Sequence, residues 1–345
     1  MRLLILTQKV DKNDSVLGFF HGWIIEFAKH FESILVVCLE EGEHNLPPNV
    51  SVHTLGKEKN KSRIQYIWRF YKYIFSLRKR YDAVFVHMNQ EYVLLGGILW
   101  RLMSKKIVFW RNHLIGNFLT RLSVLLSNCV MCTSTLSYTA RFKKTLIMPV
   151  GVDTNIFKPG LDAYGDKKDI LCLGRISPVK RIEDIITAFG MLQERSSRLL
   201  IVGSVSEKDF EYSNKLKLLV SKNNLNDRVL FVPAVSHSET PHFFQTCGVY
   251  INTTQSGSFD KTIIEAMACG AVVLTPNNAL KGLIDDLCIV EEGNMLDLKK
   301  RMSDLLKITT DQRIDLSRKM VSFVQNNHSL HSLASKLNSV IMSKI

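Results

Sequence analysis

The sequence has no apolar run near the roughly 18 residues needed to span a bilayer. Its longest candidate, Tyr92 to Trp100, contains Gly96 and Gly97 and stops at Arg101. The start, MRLLILTQK, has too short an apolar core for a secretory signal and reads as a first buried strand, so the cytoplasm is the expected location. Cysteine is sparse: seven are scattered along the chain, which fits a reducing compartment. Cys129 and Cys132 form a CxxC, but inside LLSNCVMCTS, which reads as a buried strand. Residues three apart on a strand face opposite ways, and no second Cys/His pair follows at zinc-ligand spacing, so both are expected to be structural. The first strand runs into TQKVDKND instead of the GxGxxG of nicotinamide dehydrogenases. No acidic metal-binding cluster and no RNA- or DNA-binding module are apparent. Acidic residues are outnumbered, 32 against 45 Lys and Arg, for a net charge of +13 and a pI near 9.4. That excess predicts an anionic partner: nucleotide phosphates, an anionic membrane surface or nucleic acid.

What is present is an ordinary soluble composition, 46% apolar and 22% charged over 345 residues, which at roughly 150 residues per domain suggests two domains. Short apolar runs alternate with segments of helical period. Strands are expected at Leu3–Leu6, Ile34–Leu39, Ala83–His87, Ile107–Trp110, Val130–Thr133 and Leu146–Met148, with helices near Gly18–Phe31, Ile64–Arg80, Tyr92–Met103 and Leu136–Lys143. The Pro- and Gly-punctuated string PVGVDTNIFKPG interrupts the pattern, which restarts with strands at Ile170–Leu173, Leu199–Val202, Val229–Val232, Val249–Asn252 and Val272–Thr275. From Asp297 onward the chain reads as helix only. Such βαβα alternation implies parallel sheets covered on both faces. The expected organisation is a Rossmann-like domain over 1–150, a linker over 151–168 and a second Rossmann-like domain with terminal helices over 169–345.

Two strings carry the chemistry. In LGRISPVKRIEDIITAF a strand ends at Gly174, Arg175 and Lys180 follow, and a helix begins. Glycine permits close backbone approach, while Arg and Lys at a strand end can neutralise a diphosphate without a metal. A solvated basic loop is the plainer alternative. In NTTQSGSFDKTIIEAMACGAVVLTPN a small, polar loop leads into a helix starting near Thr262, whose free N–H groups suit phosphate. Glu265, one turn in, could accept hydrogen bonds from a ribose hydroxyl pair, or be a surface helix acid.

These strings resemble glycosyltransferase family four, the glycosyl transferases group 1, which has the GT-B fold of two Rossmann-like doubly wound parallel-sheet domains facing a central cleft. Gly174, Arg175 and Lys180 match its GRxxxxK. Val202 to Ser204, VLFVPAVSHSETPHFF, EAMACGxxV at Glu265 and PVGVDTNIF match further strings. The likeness is dense from Pro149 to about Asn277 and looser before. It implies transfer of a sugar from a nucleoside diphosphate sugar with retention at the anomeric carbon, with no cofactor and no metal. Arg175 and Lys180 would hold the diphosphate and Glu265 the ribose. The donor-binding set would comprise Gly18, Gly174, Arg175, Lys180, the loop Gly257, Ser258, Phe259, Asp260, Lys261 and Thr262, and Glu265. His113, just past a strand in KIVFWRNHLIG, matches the family's His at the sugar face and would be catalytic beside Arg175 and Lys180. His87 could line the acceptor side or merely end its strand. The chain departs from the family at Gly257, where a second Glu is usual. Asp260 then either takes over the sugar contact, with Lys261 turned to the diphosphate, or caps the helix at Thr262. The same substitution leaves open a non-catalytic nucleotide-sugar or glycan binder on this fold.

The segment Lys57 to Tyr81 carries nine Lys or Arg against one Glu, interleaved with Trp68, Phe70, Tyr71, Tyr73 and Phe75. Such a helix suits an anionic lipid surface, or is a core helix with a basic outer face. The expected partners are therefore a nucleotide-sugar donor, a glycan or lipid-linked acceptor of cell-surface polysaccharide or glycolipid synthesis, and an anionic membrane at the inner face of the cell, with no nucleic acid.

Overall fold

The computed structural model describes residues 1–160, 167–193, 195–254 and 259–343. The chain forms two compact units, Met1–Gly151 with Leu330–Ile345, and Val152–Ser329.

The first unit contains β1 (Arg2–Val10), α1 (Phe19–Ala28), β2 (Ser33–Glu41), β3 (Val50–Thr54), α2 (Arg63–Ser76), β4 (Ala83–His87), α3 (Gln90–Leu102), β5 (Lys106–Trp110), α4 (Phe118–Leu126), β6 (Cys129–Cys132) and β7 (Thr145–Ile147). All strand pairs are parallel, in the order β3-β2-β1-β4-β5-β6-β7. The central strands are buried on both faces, which is why they read as unbroken apolar runs. One face packs Phe20, Trp23, Ile24 and Phe27 of α1 against Leu3, Ile5, Val36 and Phe85. The other packs Phe70 and Ile74 of α2, Val93 and Trp100 of α3 and Val124 of α4 against Leu4, Leu6, Val84 and Phe109. Cys129 and Cys132 are both buried in β6, as free thiols.

Two elements of this unit have no counterpart in the sequence reading, β3 and α4. Only Thr54 of β3 is buried, and its strand character comes from pairing with β2. Conversely, the helix expected over Leu136–Lys143 is a short 3-10 turn, Tyr138–Arg141. Tyr138 N–H donates to His113 O (2.9 Å) and Thr139 Oγ1 to Arg111 O (3.0 Å), so bonds to a neighbouring loop replace a longer helix.

The second unit runs β8 (Ile170–Leu173), α5 (Ile182–Gly190), β9 (Leu199–Val202), α6 (Phe210–Lys222), β10 (Val229–Val232), α7 (Thr240–Thr246), β11 (Val249–Ile251), α8 (Lys261–Ala268), β12 (Val272–Leu274), α9 (Met295–Lys307) and α10 (Thr310–Asn327). Its parallel sheet has the order β10-β9-β8-β11-β12. The order reverses between β8 and β11, and the crevice beyond the carboxyl ends of such a strand pair is where open α/β sheets bind ligands.

Two boundaries differ from those expected. The stretch 151–168 is not a loose linker where it is described: Val152 pairs with Ser329, and Phe157 is buried against His237 and Phe244. The last helix, α11 (Leu330–Met342), belongs to the first unit and not to the second. Leu330, Leu333, Ala334, Leu337 and Ile341 form one apolar stripe at helical spacing and join the α1 side of the core. Lys106 Nζ caps its end, donating to the carbonyls of Val340, Ile341 and Ser343. Gly151 turns the chain out of this core at φ +75°. A Cβ there would lie 2.4 Å from Leu333 and 2.9 Å from Trp23, and its carbonyl accepts from Trp23 Nε1 at 2.8 Å.

Leu337 is fully buried, so Leu337→Ala should cost about 2–5 kcal/mol and speed hydrogen exchange in both α11 and α1. Exchange in α1 at the parent rate would contradict the docking of α11 on this face.

Candidate functional site

The switch point of the second unit is built from the loops after β8 and β11. β8 ends at Gly174, whose φ of +147° disfavours a side chain. The end of β9 presses against it: a Cβ on Gly203 would sit 1.8 Å from Gly174 O. Arg175 follows with an exposed guanidinium. Ile176 is buried and donates its N–H to Ser204 O at 2.9 Å. A 3-10 turn over Pro178–Lys180 and Arg181 in the left-handed conformation (φ 48°) lead into α5.

Lys180 folds back beneath Gly174 and forms an ion pair with Asp260. Asp260 is the N-cap of α8, accepting from Thr262 N–H (3.3 Å) and Thr262 Oγ1 (3.0 Å), and also from Asn252 Nδ2 (3.0 Å). Asn252 comes from the end of β11. Tyr250, fully buried on β11, places its hydroxyl 2.7 Å from Thr262 Oγ1 and 3.2 Å from Leu173 O. Thr253 Oγ1 donates to Lys180 O at 2.6 Å. Burial alone would push the Asp260 carboxyl up. The Lys180 charge and the hydrogen bonds from Lys180, Asn252 and Thr262 outweigh burial and hold it well below the usual carboxylate range.

Lys261 opens α8, and burial pushes its ammonium down to about 8 against the pull of Glu265 and Asp153. Glu265 is 3% exposed, and its Oε1 lies 2.8 Å from His237 Nε2. His237 sits between β10 and α7, its ring 5.0 Å from that of Phe157. Phe259 packs edge-on against His328 at 5.1 Å; burial pushes His328 down to about 4.

The structure thus gathers Gly174, Lys180, Asp260 and Thr262 into one network, puts Glu265 in the same helix, and leaves Arg175 exposed at the strand end. Gly257 and Ser258 lie outside the described residues. Both Asp260 oxygens are engaged, so the capping alternative describes its position, and a sugar hydroxyl would have to compete with Lys180, Asn252 and Thr262. The sequence reading gave no role to Tyr250, Asn252, Thr253 or His237. His237 stood within a family string, but nothing local shows that it reaches Glu265, 28 positions away.

In the first unit, Gly18 is buried as the N-cap of α1 in an ordinary helical conformation, φ −55°. The loop before it is tied down. Lys9 meets Asp14 (2.9 Å), Glu40 (3.0 Å) and Asp11 (3.4 Å), and Asp14 accepts from the N–H groups of Val16 and Leu17. His113 is exposed past β5, its carbonyl fixed by Tyr138 N–H. His87 is 4% exposed. It stacks on Phe20 at 4.2 Å and lies near Phe19 and Trp23, with Nδ1 3.4 Å from Thr7 Oγ1.

Residues 153–322 match the family profile described as Glycosyl transferases group 1, and this part of the chain belongs to that family. A curated relative, the D-inositol 3-phosphate glycosyltransferase of an Arthrobacter species, is 30% identical over 150 residues, 40% of this chain and 35% of that protein. The chain thus matches about a third of that relative's length. Among solved structures, Anabaena HepE in complex with UDP is similar over 100% of both chains, with a TM-score of 0.81 at 18% identity. Sucrose-phosphate synthase from Thermosynechococcus elongatus is similar over 99% of this chain and 98% of its own, with a TM-score of 0.79 at 16% identity. Two parallel-sheet α/β domains of the GT-B type are therefore the fold of this chain.

Asp260→Asn should keep the helix cap but lose the ion pair, leaving the Lys180 ammonium without its counter-charge. A lowered melting temperature is expected above pH 4. Because the folded carboxyl is depressed, its stabilising effect is present above the unfolded value of about 3.9 and fades as pH falls below it. The difference between parent and variant should shrink accordingly in acid. Equal melting temperatures at pH 7 would show that the pair does not stabilise the fold.

Proposed function

We propose that the chain is a nucleotide-sugar-dependent glycosyltransferase acting with retention. The observation that carries this is the switch point: an exposed Arg175 and a half-buried Lys180 beside the N-terminus of α8, with the buried Glu265 carboxylate one turn further in. In this reading Arg175, Lys180 and the first N–H groups of α8 hold the diphosphate, and Glu265, oriented by His237, accepts from the ribose hydroxyls. Departure of the nucleoside diphosphate leaves oxocarbenium character on the sugar. Fixed cations and a helix terminus then stabilise the leaving charge, and no metal is needed for that step. HepE was solved with UDP and with UDP-glucose, which makes a uridine nucleotide the first donor to try. His113, on the first unit, would orient the donor sugar or relay a proton.

The acceptor is proposed to be a glycan or lipid-linked intermediate met at an anionic membrane, with the protein peripheral on its cytoplasmic side. The support is α2. Of its fourteen residues only Phe70 and Ile74 are buried, whereas Ile64 (80%), Trp68 (64%), Ile67 and Phe75 are exposed. Ile64, Ile67 and Trp68 share one helix face, and Lys72 Nζ lies 5.3 Å over the Trp68 ring. No described helix is long and apolar enough to cross a membrane.

Arg175→Ala should weaken UDP binding by about 10- to 150-fold, since a charge-assisted contact is worth about 1.5–3 kcal/mol, while turnover of the parent with a panel of nucleotide sugars should survive EDTA. Unchanged affinity by calorimetry would reject the diphosphate assignment. UDP binding without turnover of any donor would favour the non-catalytic binder that Gly257 leaves open.

The chain should sediment with anionic vesicles more than with neutral ones, less so as salt screens the attraction over about 10 Å at 0.1 M, and Trp68→Ser with Ile64→Ser should release it. Equal sedimentation with both vesicle types would reject the surface.

A further inference from the structure

On the opposite face of the first unit from α2, three metal-ligating side chains meet. Glu26 and His30 are four apart on α1 and so share one face of that helix. His331 stands in the first turn of α11, brought there by the docking of α11 on α1. Glu26 Oε1 is 3.3 Å from His331 Nδ1 and 4.0 Å from His30 Nε2, and the three ligand atoms lie within 4.8 Å of one another. The other carboxylate oxygen, Oε2, takes Lys29 Nζ at 2.6 Å, which leaves Oε1 directed at both imidazoles. The carboxylate is largely buried, with 14% of its side chain exposed, while the His331 side chain is 76% exposed.

We propose that Glu26 Oε1, His30 Nε2 and His331 Nδ1 form a site for one divalent transition metal ion of the zinc type, clamping α11 to α1. In a tetrahedral zinc site with bonds near 2.0–2.1 Å the ligand atoms are about 3.3 Å apart. The Glu26–His331 pair already has that separation. Closing the rest takes about 0.7 Å between Glu26 and His30 and about 1.5 Å at most between the two imidazoles, which a small rotation of the His30 side chain supplies together with one of exposed His331. Two imidazoles and one carboxylate are a mixed N/O set that suits zinc, cobalt, nickel or copper and disfavours magnesium and calcium, which take oxygen. Three protein ligands leave a fourth position for water. Neutral imidazoles can each turn a lone pair to the same point, and Lys29 beside Oε2 lowers the site's affinity without occupying it. The clamp is separate from the switch point of the second unit, and its expected effect is on stability and not on turnover.

The test uses the full chain, free of affinity tags and stripped with EDTA, titrated with Zn2+ by calorimetry and with Co2+ by visible absorption. One ion per chain is expected, with cobalt ligand-field bands of a four-coordinate site, no binding of Mg2+, and a zinc-dependent rise in melting temperature. Changes beyond the direct ligands already cost about 10–100-fold in affinity at metal sites. His30→Ala and His331→Ala should therefore each weaken binding at least tenfold and abolish the rise in melting temperature, with melting in EDTA close to the parent's. Lys29→Ala should tighten binding, and His242→Ala, at an exposed position of α7, should leave it unchanged. Absence of stoichiometric binding by the parent at micromolar zinc, or one ion bound at parent affinity by the His30→Ala, His331→Ala double variant, would overturn the proposal.

Discussion

Asp260 joins three pieces of chain that would otherwise be independent: the Lys180 turn after β8, the Asn252 end of β11 and the first turn of α8. A carboxylate removed from water is costly, and leaving one partner of such a pair alone costs more than never having buried it. The loops at the switch point are therefore held by mutual need. If Lys180 withdraws, Asp260 lacks its counter-charge, and if Asp260 withdraws, α8 loses its cap. Of the two cations in the proposed diphosphate site, Lys180 is thus already compensated by Asp260, whereas Arg175 is exposed. An arriving diphosphate would share Lys180 with Asp260 and would meet Arg175 without competition.

A second dependence lies in α8 itself. Its N-terminus is fixed by Asp260, and one turn later Glu265 is buried and fixed by His237. His237 in turn rests on Phe157, from the segment that the sequence pattern suggested was a linker. Packing of that segment thus reaches the ribose position of the proposed site through two contacts. The first unit shows the same economy. α11 fills the sheet face beside α1, and Gly151 is kept small by Leu333 and Trp23. That docking also gathers Glu26, His30 and His331.

Much of the architecture was legible in the sequence because a buried parallel strand is a continuous apolar run. Ala83–His87, Ile170–Leu173 and Leu199–Val202 have the bounds expected of them. The elements that escaped lack that signal. β3 is an edge strand with one buried residue, and α4 has only Thr120, Ser123 and Val124 buried, two of them polar. The Tyr138 turn has helical composition but is diverted by bonds to Arg111 and His113, some 25 positions earlier.

By itself the sequence determined the alternation of strands and helices, and with it two doubly wound sheets. It also determined that Gly174, Arg175 and Lys180 lie together at the end of β8, because they are close in the chain. Tertiary structure alone decided that α11 returns to the first unit, that Asp260 is committed to Lys180, and that His237 holds Glu265. The physical reason is common to all three. Each is a contact across at least 28 positions, made only when sheet order brings distant loops or faces together, and a hydrogen bond or apolar stripe of that kind leaves no mark in local periodicity.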